Sequence, residues 1–450
     1  MSTLKDNDTI FFYRYMDSWL LSLPVFLIIT YVAKFYFQYF TRENPLPGPM
    51  PFPVIGNVIQ MRGHPGKFAV AMQEKYGEIW EAYIGTERTI FLCRDDLIAN
   101  MMSSSTKTNF FNRNNNEGLK EMGVHMEGIV FNRDMQVWRM NRKLLTHSIM
   151  PPNYLKEFVQ VTQTIFNEVE NYWEQLGLDL EIDIAQWMPR FTTDITVKTT
   201  TGKPFHSLLA YYNTQSSTKD NNIEVPISKL IESEELSHAI REWNRMLSAH
   251  SFSFVIYYIC QNPYVKLQLE KEISQVFGNN LITKQYKITY EDIEKLVYTE
   301  AVIKEAARLT PVVPIITKET SHEEEIGGYK YKAGTKFGAS FIGIHLSTRY
   351  WQDPKKFMPE RFLKKVSDSN GTVRYEAGNN IKKNTYMPFG GGVRICPGRN
   401  VAMTEMKALT VLLFGRYDVR LVDPKAPLAY SFAPAIQCDE LKLFIRPRKI

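Results

Sequence analysis

Pro388-Phe389-Gly390-Gly391-Gly392-Val393-Arg394-Ile395-Cys396-Pro397-Gly398 is the stretch that decides how this chain is read. Three consecutive glycines ahead of a cysteine let the backbone turn tightly and approach something large and flat. A helical pattern runs from Arg399 to Leu413, so Cys396 stands just before a helix N-terminus. A thiolate there, among donated backbone N–H groups and near Arg394, is stabilised as the anion that an iron ligand must be. An isolated cysteine is by default a small buried hydrophobe. A glycine-rich turn would explain the glycines, but not Phe389, Arg394 and Gly398 at their spacings. The other three cysteines, Cys93, Cys260 and Cys438, stand far apart with no CxxC pair. Four are too few for a disulfide scaffold and wrongly spaced for a four-ligand zinc site.

Two further patterns lie upstream. Glu305 and Arg308 fall three residues apart in the helical stretch YTEAVIKEAARLTP, hence on one helix face. Taken alone they make a surface ion pair worth ~0–1 kcal/mol. In Asp134-Met135-Gln136-Val137-Trp138-Arg139-Met140-Asn141-Arg142, Trp138 and Arg142 are four apart. An indole N–H and a guanidinium on one face can both donate to a carboxylate, or simply stack.

With these residues in view, the Cys396 string resembles the haem-ligating loop F-x-x-G-x-R-x-C-x-G of the cytochrome P-450 superfamily of haem-thiolate monooxygenases. Phe389, Gly392, Arg394, Cys396 and Gly398 all match it. Glu305 and Arg308 are similar to the family's E-x-x-R motif. Arg361, in Phe357-Met358-Pro359-Glu360-Arg361-Phe362, matches the arginine completing its structural Glu-Arg-Arg network. Trp138 and Arg142 resemble the W-x-x-x-R pair that binds a haem propionate. By the same resemblance Arg394 reaches a propionate, and Lys318, after Thr310-Pro311-Val312-Val313-Pro314, contributes. The resemblance implies haem b held through iron by the Cys396 thiolate, in a fold that is mainly α with a small β region. It also implies dioxygen and a small lipophilic substrate. No nicotinamide or flavin fingerprint follows a predicted strand, so electrons must come from a separate protein, by resemblance an NADPH-dependent flavoprotein reductase. Arg139, Lys143, Lys382, Lys383 and Arg399 flank the Trp138 helix and the Cys396 loop and form a candidate basic patch for that partner.

The N-terminal region is expected to be an anchor. Trp19 to Ala33 is uncharged and, past Lys34, the apolar run resumes to Phe40. With Lys34 snorkelling, the run reaches the ~20 residues a membrane helix needs. A cleaved signal fits less well, because Asp6, Asp8 and Asp17 precede the run and no small-residue cleavage site follows. Prolines 45, 47, 49, 51 and 53 then form a stiff spacer. The expected organisation is 1–43 tail and membrane anchor, 44–57 proline-rich hinge, and 58–450 haem-thiolate monooxygenase domain. The anchor and proline ladder resemble the membrane-bound eukaryotic branch, which implies an endoplasmic reticulum membrane and a cytosolic body.

The body reads as one large helical domain. Helical patterns cover 64–77, 134–149, 153–175, 263–277, 290–309 and 399–413, with strands at 78–84, 89–92 and 328–331. Segment 202–226 is polar and turn-rich and is expected to be loop. The 450 residues are 44% hydrophobic and 23% charged, the balance of a globular protein. Net charge is +6 with no dense Lys/Arg stripe, so no nucleic-acid partner is expected.

One departure from the family pattern bears on function. Ser253 to Pro263 resembles the end of the family's central helix, which normally carries A/G-G-x-D/E-T-T/S above the iron. Counting back from Asn262-Pro263 places that motif on Trp243-Asn244-Arg245-Met246-Leu247-Ser248, where only Ser248 fits. Arg142 and Glu305 are also only 163 positions apart, short for the family's middle helices. Two functions therefore compete. One is a monooxygenase; the other is a catalytically impaired haem-binding isoform, or a truncated gene model, lacking the oxygen-activating acid–threonine motif. A membrane tether without haem is a third and poorer alternative.

Overall fold

A computed structural model describes residues 23–62, 64–105, 107–113, 120–121, 123, 126–177, 179–216, 229, 247–282, 284–367, 373–378, 381–432 and 435–448. The chain enters through a helix, α1 (Leu23–Phe40), whose residues from Leu23 to Tyr31 are exposed. Residues 1–22, including the start of the expected anchor, lie outside the described residues. The helix is fastened to the body at its C-terminal end. Tyr36 donates to the Pro51 carbonyl (3.3 Å), Tyr39 meets Tyr83 edge-on at 5.8 Å, and Arg42 pairs with Glu81 at 2.5 Å.

The proline ladder does not stand off as a spacer. It lies along strand β1 (Ile79–Ile84), with Glu81 N–H donating to the Pro47 carbonyl at 3.0 Å and Leu46 buried. Gly48 is required there, since a Cβ would fall 2.1 Å from the Glu81 carbonyl oxygen.

Further helices among the described residues are α2 (Pro65–Tyr76), α3 (Met135–Ile149), α4 (Pro152–Leu176), α5 (Ile184–Thr201), α6 (Ser207–Gln215), α7 (Leu247–Gln261), α8 (Pro263–Phe277), α9 (Tyr290–Glu294), α10 (Val297–Leu309), α11 (Phe341–His345) and α12 (Arg399–Arg416). Most starts and stops follow local chemistry. Pro opens α2, α4 and α8, where its missing N–H costs nothing, and Gly follows their last residues. Asp134 caps α3 by accepting from Gln136 and Val137 N–H at 2.8 and 3.0 Å. In α4, Leu155, Phe158, Thr162, Ile165, Phe166, Val169 and Trp173 turn one stripe into the core. That core gathers α4, α5, α7, α10 and α12.

Two expectations fail. The helix expected over 290–309 is broken between Glu294 and Val297. Glu272, from α8, accepts from Tyr298 and Thr299 N–H at 2.6 and 2.8 Å, so a second helix starts on a cap supplied from elsewhere. Segment 202–226 is also not all loop, because α6 occupies Ser207–Gln215. Buried Asp194 accepts from Ser207 and Leu208 N–H at 3.0 and 3.1 Å, and Leu208 and Tyr212 pack into the core. Residues 217–226 lie outside the described residues.

The β region is small and divided among several sheets. Its largest sheet has the order β1, β2 (Glu87–Leu92), β8 (Lys336–Ser340), β5 (Ile315–Glu319), β3 (Asn112–Arg113), with β2 and β8 parallel and the other pairs antiparallel. Trp80 and Phe91, paired across β1 and β2, stack at 4.1 Å. A second sheet joins β11 (Tyr417–Leu421), β14 (Lys442–Pro447) and β4 (Leu180–Asp183). Hairpins β6–β7 (Glu324–Ile326, Tyr329–Tyr331), β9–β10 (Leu363–Ser367, Val373–Ala377) and β12–β13 (Ala429–Phe432, Ile436–Glu440) complete it. The expected class, mainly α with a small β region, is what the chain adopts.

Candidate active site

Between α7, α10, α12 and the largest sheet lies a cavity of about 390 Å³. Its wall is mostly apolar, with Phe254, Val255, Val312, Val313, Ile316 and Phe341 facing inward. Cys396 opens onto it, and so do Trp138, Arg142 and Arg394. The structure thus brings together, from two distant stretches, four of the residues the sequence singles out.

The loop before Cys396 needs its glycines where it packs against the chain. Gly392 has φ +68°, and a Cβ on it would lie 2.4 Å from the Ser103 carbonyl oxygen. Val393 N–H donates to that same carbonyl at 3.0 Å. The glycines therefore let the loop press against the backbone at 102–103, and Cys396 N–H closes it on the Phe389 carbonyl at 3.0 Å. Phe389 also lines the cavity, and Gly398 caps α12 with its N–H near the sulfur. Burial pushes the Cys396 thiol up, while the Gly398 N–H, Arg142 and Arg399 work the other way.

Arg394 is not the cation beside the sulfur. Its guanidinium turns back to the carbonyls of Phe111 (2.9 Å), Ile129 (3.2 Å) and Asn132. Trp138 donates its indole N–H to the Ile129 carbonyl at 3.0 Å, and Arg142 lies over its ring at 6.0 Å. The shared-carboxylate geometry expected for Trp138 and Arg142 is thus not preformed. Lys318 sits behind the cavity wall, fully buried, and donates to the Met101 carbonyl.

A residue the sequence reading missed completes this end. Arg113, in β3, lines the cavity, and its buried Nε has no hydrogen-bond partner. Phe111-Asn112-Arg113 matched no pattern, and only burial reveals the residue. Desolvation lowers its pKa and that of Arg142. Burial with Arg113 and Arg133 nearby brings Arg394 down to about 9. Burial with Arg113 and Arg394 brings Lys318 down to about 7. Several buried cations at one place, each lowered and one orphaned, fit a group that carries carboxylates. The apolar wall and the sulfur fit the body of a haem.

Glu305, Arg308 and Arg361 form a buried network and not a surface pair. Arg308 holds Glu305 through two bonds of 2.7 and 2.8 Å, and Arg361 Nε reaches the same carboxylate at 3.0 Å. Arg308 also donates to the carbonyls of His345 (2.6 Å) and Pro354 (2.8 Å), fixing the segment that leads to Arg361.

On the central helix, Trp243 to Met246 and the Leu247 side chain lie outside the described residues. Ser248 and Ser251 line the cavity. Behind Ser248, on α12, is buried Glu405, whose Oε1 has no partner; burial pushes its carboxyl up to about 7, while hydrogen bonds from Ser248 and Thr192 work the other way. Two serines three apart in an apolar helix, and a lone acid in VAMTEMKALTVLL, were the available sequence signals.

Comparison with known proteins gives a consistent result. The sequence model of the family described as Cytochrome P450 matches residues 46–235 and 248–437. Cytochrome P450 3A14 of Cavia porcellus is 22% identical over 90% of this chain and 91% of its own length. Flavonoid 3′-monooxygenase of Petunia hybrida is 23% identical over 95% of this chain and 98% of its length. Cytochrome P450 4V2 of Mus musculus is 32% identical over 38% of this chain and 30% of its length.

Proposed function

Because the chain belongs to the cytochrome P450 family, a family of haem-thiolate monooxygenases, we propose that it is anchored by α1 in the endoplasmic reticulum membrane and oxidises a small lipophilic substrate with dioxygen and electrons from a separate flavoprotein reductase. One observation carries the reading: Cys396 and an orphaned buried guanidinium, Arg113, open onto the same apolar cavity. Haem bound there supplies the oxygen-inserting chemistry, with electron density from a thiolate favouring O–O cleavage.

Each residue then has a task. Cys396 holds the iron, and the Gly398 N–H with Arg142 and Arg399 favours its thiolate form. Arg113, Arg142, Arg394 and Trp138 take the propionates, with Lys318 behind them. Phe389, Gly392 and Gly398 shape the ligand loop, while Glu305, Arg308 and Arg361 hold the core against it. Val312, Val313, Ile316 and Phe254 exclude water and bind apolar substrate surface. Residues 58–450 form the haem-binding body, 44–57 its proline-rich lead, and 1–43 the anchor.

A carbon monoxide difference spectrum of the reduced protein tests the ligand. It should show the thiolate-type Soret band, and Cys396→Ala should abolish it; an unchanged spectrum in that variant removes the assignment. Deleting residues 1–43 should release most of the body from membranes, and full retention in the membrane fraction would point to another holding surface.

A second reading has one observation behind it. The family match stops at residue 235 and resumes at Ser248, where the oxygen-activating motif should lie. Met246 and Leu247 can neither donate nor relay protons. On this reading the chain binds haem but turns over poorly.

A further inference from the structure

A second cavity of about 260 Å³ lies outside the first, between α2, the β12–β13 hairpin and the end of α10. Its inner surface is apolar, with Val70, Leu309, Ile342, Phe432 and Ile436. Gly66 lines it too, and keeps open a place where a Cβ would stand 3.5 Å from Pro314.

The mouth is different. The Lys67 ammonium lies 4.9 Å from the centre of the Tyr430 ring, with no carboxylate partner among the described residues. His64 meets the same ring edge-on at 5.3 Å, and its buried Nδ1 has no hydrogen-bond partner. The acid at this mouth, Glu74, is engaged by Lys355 at 3.7 Å. One uncommitted ammonium and an unsatisfied imidazole therefore sit above an apolar crevice.

The two cavities share a wall at Thr310, which lines both. Its hydroxyl is bonded to Tyr258 at 2.8 Å, and Tyr258 is stacked on Phe357 at 4.9 Å with the planes 9° apart. Beside it, Phe254 of the inner cavity meets Tyr430 of the crevice edge-on at 6.5 Å. A small, tethered side chain is thus what divides the outer space from the inner one at this point.

We propose that the crevice binds the head of a lipophilic carboxylate, paired with Lys67 above Tyr430, and that its tail passes Thr310 into the inner cavity. The substrate class so named rests on the haem reading of that cavity. Chemistry would then fall on the tail, away from the carboxylate. An alcohol of the same chain length keeps the apolar contacts but loses the charge pairing, so it separates the two contributions.

The experiment uses the full-length haem-loaded protein with decanoate and decanol, read by calorimetry and by the Soret band. Lys67→Glu should weaken decanoate binding by about fivefold and leave decanol within about twofold. Thr310→Trp should keep the heat of decanoate binding but remove its Soret shift, while the carbon monoxide spectrum stays. Should that spectrum be lost, Thr310→Leu is the smaller plug and is read in the same way. Equal weakening of acid and alcohol by Lys67→Glu, or an unaltered Soret shift behind a plugged Thr310, overturns the proposal. Failure of the haem reading would show separately, as a wild type without the thiolate-type spectrum, and calorimetry would still judge the crevice.

Discussion

At the scale of single residues, Arg113 makes the sharpest demand on what is bound. Its buried Nε is empty, and Lys318, ordinarily near 10.5, falls to about 7 through its own burial and then the Arg113 and Arg394 charges beside it. At pH 8 Lys318 is therefore mostly neutral in the haem-free chain. Propionates that offset Arg113 and Arg394 raise its pKa again, while the Cys396 thiol, held up by burial, gives off its proton to ligate iron at either pH, so haem uptake should release fewer protons at pH 8 than at pH 6. A hemin titration of haem-free protein in weak buffer reads this directly. Arg113→Ala should lower hemin affinity by about tenfold and shrink that difference between the two pH values; unchanged values would mean the carboxylates sit elsewhere. Cys396, Trp138, Arg142 and Arg394 were legible in the sequence because each belongs to a short pattern with fixed spacing. Their orientations were not. That Arg394 turns to the carbonyls of Phe111, Ile129 and Asn132, and that Gly392 faces Ser103, are facts about chain segments hundreds of positions away.

At the scale of elements, what was legible was whatever the chain punctuates locally. Helices α2, α4 and α8 open on proline and close on glycine, and the expected spans match them closely. The break between α9 and α10 and the existence of α6 were not legible, because their caps are Glu272 and Asp194, borrowed from other helices. Helix α5 holds Pro189 in its interior, which masked its pattern. The central helix carries the functional question. Its described part supplies Ser248 and Ser251 to the cavity, and the acid beside Ser248, Glu405 of α12, does not line it. With reductase supplied, electrons should leave largely as peroxide and not as oxidised product. A version carrying a full acid–threonine motif ahead of Ser248 should gain both coupling and haem retention. Equal coupling in the two forms, measured as product formed per NADPH consumed, would show that the alignment over Trp243–Ser248 is wrong.

At the scale of the whole molecule, the question is where electrons enter. On α3, exposed Arg139 and Lys143 alternate with exposed Val137, Met140 and Leu144, and Arg399 opens α12 beside the Cys396 loop. Arg139, Lys143, Lys383 and Arg399 have no ion-pair partner among the described residues, whereas Lys382 is held by Asp95 at 2.7 Å. The candidate patch is thus narrower than the sequence suggested, since Lys382 is already neutralised. Reversing Arg139, Lys143 and Lys383 to Glu should slow reduction by the reductase by about tenfold at low salt and much less at high salt. Stopped-flow traces at two ionic strengths check it, and a loss independent of salt would rule the patch out.

The three contacts that fasten α1 to the body, at Tyr36, Tyr39 and Arg42, act like a welded mast. A body on a loose tether would roll over the bilayer and offer every side in turn. Fastened this way, and with α1 anchored as proposed, it would keep one latitude above the lipid and be free only to spin about the membrane normal. Any membrane-borne electron donor must then carry its own redox centre at the matching height, and the length of that donor's stalk becomes a condition of the reaction.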